Sequence, residues 1–74
     1  MKIYYDKEVD AAYIELSHDT PDGVIEISEG VNLDMTTDKR VVGIEILDAS
    51  KKISLESLFA YELDEGLVGL EKTT

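Results

Sequence analysis

The sequence predicts an α+β fold: a small antiparallel sheet of about five strands with one C-terminal helix packed on one face. Three observations carry that expectation. Five short segments alternate apolar and polar residues with period two, the mark of half-buried strands. Turn-forming residues separate them. Past Leu47 the apolar spacing changes to that of a helix. At 74 residues the chain is expected to form a single domain, 1–74, with a thin core.

The strands are expected within residues 2–47, at 2–6, 11–17, 24–28, 31–36 and 41–47. Ile, Val and Tyr supply the branched and aromatic side chains that a pleated surface packs well. Lys7-Glu8-Val9-Asp10 can close a first hairpin. Thr20-Pro21-Asp22-Gly23 is a strong turn sequence, with Pro presetting φ and Gly free to take positive φ. Glu29-Gly30 allows a tight reversal and Thr37-Asp38-Lys39-Arg40 a looser one. Connections this short imply antiparallel neighbours, since parallel pairs need a long crossover. Ser54 then reads as an N-cap with Glu56 in the first turn. Leu55, Leu58, Phe59 and Leu63 form the apolar stripe of a helix at about 55–64, and Gly66 stops it. Residues 72–74 are expected to be a mobile tail.

Strand alternation sorts the residues onto two faces. One face takes Ile3, Tyr5, Ala12, Ile14, Leu16, Ile25, Ile27, Val31, Leu33, Met35, Val42, Ile44 and Ile46, a nearly wholly apolar set expected to lie under the helix. The other face is mixed. Tyr4, Tyr13, Val24, Val41, Gly43 and Leu47 form a candidate interaction face, and Glu15, Glu26, Asp34 and Glu45 a candidate acidic cluster.

Composition narrows the function classes. Asp and Glu number 17 against 7 Lys and Arg, a formal net charge of −10. Such a surface repels nucleic-acid phosphates and anionic lipid, and the pairs Lys39-Arg40 and Lys51-Lys52 form no basic stripe. Neither a nucleic acid nor a membrane is an expected partner. No segment approaches the ~20 apolar residues of a membrane helix and the N-terminus carries no apolar leader, so the expected location is the cytoplasm. The absence of Cys removes disulfides and thiolate metal sites. With His18 the single histidine, a structural zinc site is not expected either, and no cofactor is expected. The 43% hydrophobic content, in alternating runs, argues for a folded chain despite the charge.

Few residues suggest chemistry. Neighbouring pairs among Glu15, Glu26, Asp34 and Glu45 would raise one pKa or recruit a hard cation if brought within ~5 Å, with Asn32 adding a neutral oxygen. The simpler reading is four solvent-facing acids on an acidic protein. Asp6 and Asp10 flank the first turn, yet the sixth-position Gly and twelfth-position Glu of a calcium loop are missing, so they read as turn-fixing side chains. His18 reads as a solvated loop residue, and no Gly-x-Ser-x-Gly elbow or Gly-rich phosphate loop is present. Gly43 interrupts an otherwise strong strand, for which an aromatic ring lying over the backbone, from Tyr4 or Tyr13, is the favoured reason.

Two stretches resemble a known family. Tyr5-Asp6 with Asp10, Ala11 and Tyr13-Ile14, and then Gly30-Val31-Asn32-Leu33-Asp34 followed by Val42-Gly43-Ile44-Glu45-Ile46-Leu47-Asp48-Ala49, are similar to the prokaryotic domain of unknown function 2283. The resemblance spans about two-thirds of the chain. It implies a β-rich fold with a C-terminal helix and implies no reaction. The functional expectation is a non-enzymatic interaction domain that forms a homo-oligomer and binds a basic protein partner. The alternative is a metal-dependent enzyme or a metal-binding protein using the open-face carboxylates.

Overall fold

Five strands form one wholly antiparallel sheet in the computed structural model, which describes residues 1–62 and 64. They are β1 (Lys2–Asp6), β2 (Ala11–Glu15), β3 (Gly23–Ser28), β4 (Val31–Met35) and β5 (Val41–Leu47), in the spatial order β1-β2-β5-β4-β3. Strand positions follow the period-two reading closely. β2 stops at Glu15 because the Leu16 and Ser17 amides both turn to the Val42 carbonyl, at 2.8 and 3.1 Å.

The order departs from the expectation that short connections join neighbours. β2 pairs with β5, not with β3, and residues 16–22 run past the ends of β5 and β4 to reach the far edge. Seven residues extend to about 23 Å, ample for three strand spacings of about 14 Å. The Asp22 amide lands on the Met35 carbonyl at 2.8 Å, which starts β3 beside β4.

The single helix expected at 55–64 is replaced by two one-turn helices, α1 (Ala49–Lys52) and α2 (Leu55–Leu58). Asp48, in the left-handed region at φ 51°, turns the chain off β5 directly into α1, and the extended Ile53 separates the two. Ser54 precedes α2 as expected, but the helix ends at Leu58 and Phe59 stands 74% exposed, so the stripe through Phe59 is not buried. Leu63, Gly66 and the 72–74 tail lie outside the described residues.

The core is correspondingly one-sided. Ala12, Ile46, Ala49 and Leu58 are buried, with Ile3, Tyr5, Ile14, Ile44, Ile53 and Leu55 packed around them. The helices therefore lie over β1, β2 and β5. The other half of the same face was expected under the helix and is open: Ile25 and Ile27 on β3 are 52% and 57% exposed. Ile46→Ala, which empties a buried position beneath Ala49, should cost about 2–5 kcal/mol in denaturant unfolding, whereas Glu45→Ala next along the strand should cost far less. An equal loss at both positions would contradict this assignment of faces.

Candidate functional site

Strand register sets the outer face as rows. One row reads Tyr4, Tyr13, Glu45, Asn32, Glu26 across β1, β2, β5, β4 and β3. The row beside it holds Glu15, Gly43, Asp34 and Val24. Tyr4 and Tyr13 oppose each other with ring centroids 6.4 Å apart, and the Lys2 amine sits 5.1 Å above the Tyr4 ring. Tyr13 then crosses diagonally over β5: its hydroxyl donates to Asp34 Oδ2 at 2.8 Å, two strands away.

That crossing accounts for Gly43. A Cβ at position 43 would overlap the Tyr13 ring and stand 2.9 Å from the Ile14 carbonyl oxygen. The glycine is the groove in which the tyrosine lies, as the aromatic reading anticipated, and it is buried and not part of an open surface. Burial, and after it the hydrogen bond and negative charge of Asp34, push the Tyr13 phenol up to about 12 from its ordinary 10.0. Of the remaining candidate interaction residues, Tyr4, Val24, Val41 and Leu47 are exposed, from 37% at Val41 to 64% at Val24, and they are spread over β1, β3 and the two ends of β5.

Three of the four acids are engaged by partners of their own. Asp34 is engaged by Tyr13, Glu45 accepts from the Asn32 amide at 3.1 Å, and Glu15 lies 3.6 Å from His18. Glu26 faces Asn32 on the edge strand. Among the described residues no three His, Cys, Asp or Glu side chains stand together as a metal site requires.

The densest polar network lies elsewhere, where sequence reasoning saw a local turn. Asp6 does fix that turn, accepting the Glu8 amide at 2.9 Å. Asp10, at φ 53°, does much more. Its Oδ1 accepts the Tyr5 hydroxyl at 2.7 Å and the Ser50 amide at 3.1 Å. Its Oδ2 accepts the Ser50 hydroxyl at 2.7 Å, and its carbonyl accepts the Ala49 amide at 2.9 Å. One residue of the first hairpin thus satisfies the first amides of α1, forty positions on, where Asp48 makes no side-chain cap. The Ser50 and Tyr5 hydrogen bonds hold the Asp10 carboxyl below its ordinary 3.8, and Tyr5 is raised in turn. A carboxylate so held is a poor base, and Ser50 spends its proton on it, so the set is a clamp and not a nucleophile with its base. The available signal was the pair Asp10 and Ala49, each inside a family-like stretch.

The chain matches the family described as "Protein of unknown function (DUF2283)" over residues 2–50 and belongs to it. No curated protein and no solved structure matches the chain. Among the described residues no helix is long and apolar enough to cross a membrane.

Two expectations follow from these networks. A carboxyl with a lowered folded-state pKa contributes stability that is present above its unfolded value and lost as pH falls through the folded one. Asp10→Ala should lower the melting temperature well beyond Asp6→Ala at pH 7, with the gap closing below about pH 4. Equal melting of both variants at pH 7 would remove the clamp. For Tyr13 the sign reverses, because the fold favours the protonated phenol: its contribution holds below pH 10 and fades toward pH 12. Ultraviolet titration of the four tyrosines should show a phase near pH 12 that Tyr13→Phe abolishes, while the raised Tyr5 phase remains. Persistence of that phase in the variant would contradict the assignment.

Proposed function

We propose that the chain is a non-enzymatic, cytoplasmic protein-interaction domain that self-associates and accepts a basic protein partner. The observation that carries this reading is the openness of Val24, Ile25 and Ile27, each more than half exposed on one edge strand. A domain this small has little stability to spare for apolar side chains left in water. The net charge of −10 supports a basic partner, which the acidic surface would steer and orient. Coordination of a hard cation by Glu15, Glu26, Asp34 and Glu45 gathers no support from the geometry, since Asp34 and Glu45 are engaged across strands by Tyr13 and Asn32.

Sedimentation velocity at micromolar concentration and two salt levels tests the self-association. Assembly should strengthen with salt, as screening reduces the repulsion between acidic copies. A concentration-independent 8.2 kDa species at both salt levels overturns it. Pull-down from host extract tests the partner, which should be retained at low salt and released at high salt. Retention unaffected by salt would exclude an electrostatic partner of this kind.

A further inference from the structure

The two sheet edges differ. β1 carries Lys2 and Asp6 at its ends, and its inner residues Ile3 and Tyr5 pack against the core beneath the helices. Such charges and coverage are how an edge avoids pairing with another chain. β3 reads Gly-Val-Ile-Glu-Ile-Ser, all six residues exposed, with Glu26 its one charge; its register against β4 is regular from Gly23 to Glu26 and shifts only between Glu26 and Ser28. Pro21 precedes the strand and does not block its backbone.

The inner face has a row that ends on this open edge. Ile3, Ile14, Ile44, Leu33 and Ile25 oppose one another in sequence across β1, β2, β5, β4 and β3. Four members are partly buried, and Ile25, the last, is 52% exposed. The row stops only because the sheet does.

From this we infer that two copies join β3 to β3 in antiparallel fashion about a two-fold axis at Ile25, forming one continuous ten-stranded sheet. The inference rests on the self-association proposed above and specifies its surface. Opposed residues of an antiparallel pair share a face, so the axis must set one residue against its own copy. Near the middle of β3 that residue is Ile25 or Glu26. A Glu26 axis opposes two like charges, whereas an Ile25 axis continues the aliphatic row and sets Val24 against Glu26.

Charge at the strand ends agrees with the same orientation. Lys39 lies beside Gly23 and Val24 at the start of β3. Nearby, Arg40 is 3.7 Å from Asp19, and Asp22 accepts the Thr37 amide, while Lys39 itself has no ion-pair partner among the described residues. Glu29, also without one among them, follows the end of β3. Antiparallel joining brings each Glu29 toward Lys39 of the second copy, where parallel joining would set like against like. A second copy therefore suits this edge in register and charge, and a two-fold axis needs only one such patch.

Sedimentation velocity on the full chain and four variants tests the inference. Ile25→Lys should weaken the dimer at least about tenfold, because a lysine on an edge strand opposes pairing and two copies would face each other at the axis. Tyr4→Ser, at the opposite edge, should leave the dimer intact. Lys39→Glu should weaken it several-fold, and adding Glu29→Lys to the same chain should restore it, a rescue that a folding defect does not produce. A dimer lost in Tyr4→Ser but kept in Ile25→Lys would overturn the β3 surface and leave self-association standing. A dimer that Ile25→Lys weakens but that the charge swap fails to restore would overturn the antiparallel orientation. A monomeric parent would overturn both the β3 surface and the self-association.

Discussion

The carboxylate of Asp10 is the interaction on which the rest of the arrangement depends. α1 follows β5 without a linker and has a single turn, so its amides must find partners outside the helix. Asp10 provides them from the first hairpin, and in doing so fixes where the helical segment sits. Ala49 is wholly buried because α1 is drawn down onto β2, where Ala12 is small enough to receive it. Ala12 and Ala49 are the two most completely buried residues of the core cluster.

This placement explains why the molecule has two unlike halves. Two one-turn helices cover little area, and the clamp directs that area to β1, β2 and β5. What remains of the apolar face, on β3 and β4, has no second layer among the described residues. The outer face solves its own polarity differently. There a tyrosine lying in the groove of a glycine joins three strands to one carboxylate, which replaces open surface with a directed hydrogen bond.

Much of the sheet was legible because alternation is a local property. The bounds of β1 and β5 follow from side-chain period alone, but simple alternation breaks at two register shifts, where Val41 comes opposite Met35 and Ser28 opposite Val31. The Gly43 interruption announced its overlying ring, since a strand glycine calls for a close neighbour. Strand order was not legible, because Thr20-Pro21-Asp22-Gly23 specifies a turn and says nothing of how far the chain travels before it. The helical segment was misread for a related reason. Leu55, Leu58, Phe59 and Leu63 satisfy a helical period that a longer helix would share, while Ala49–Lys52 is too short to show any period and is held by a residue forty positions earlier. Asp10 was read through its neighbours Asp6 and Glu8, and its partners are not neighbours.

The exchange of β3 for β5 beside β2 has a consequence for how the chain reaches this structure. Every other strand pair is closed by a turn of five residues or fewer. The β2–β5 pair instead joins Ala11 to Leu47 and Glu15 to Gly43, enclosing two entire strands. Loop-closure entropy is therefore concentrated in one seam between a two-stranded hairpin and a three-stranded meander, each held together locally. Tyr13 to Asp34 and Asp10 to Ser50 both bridge that seam, one on each face of the sheet. They act as fasteners across the one line along which the chain has no short turn to guide it.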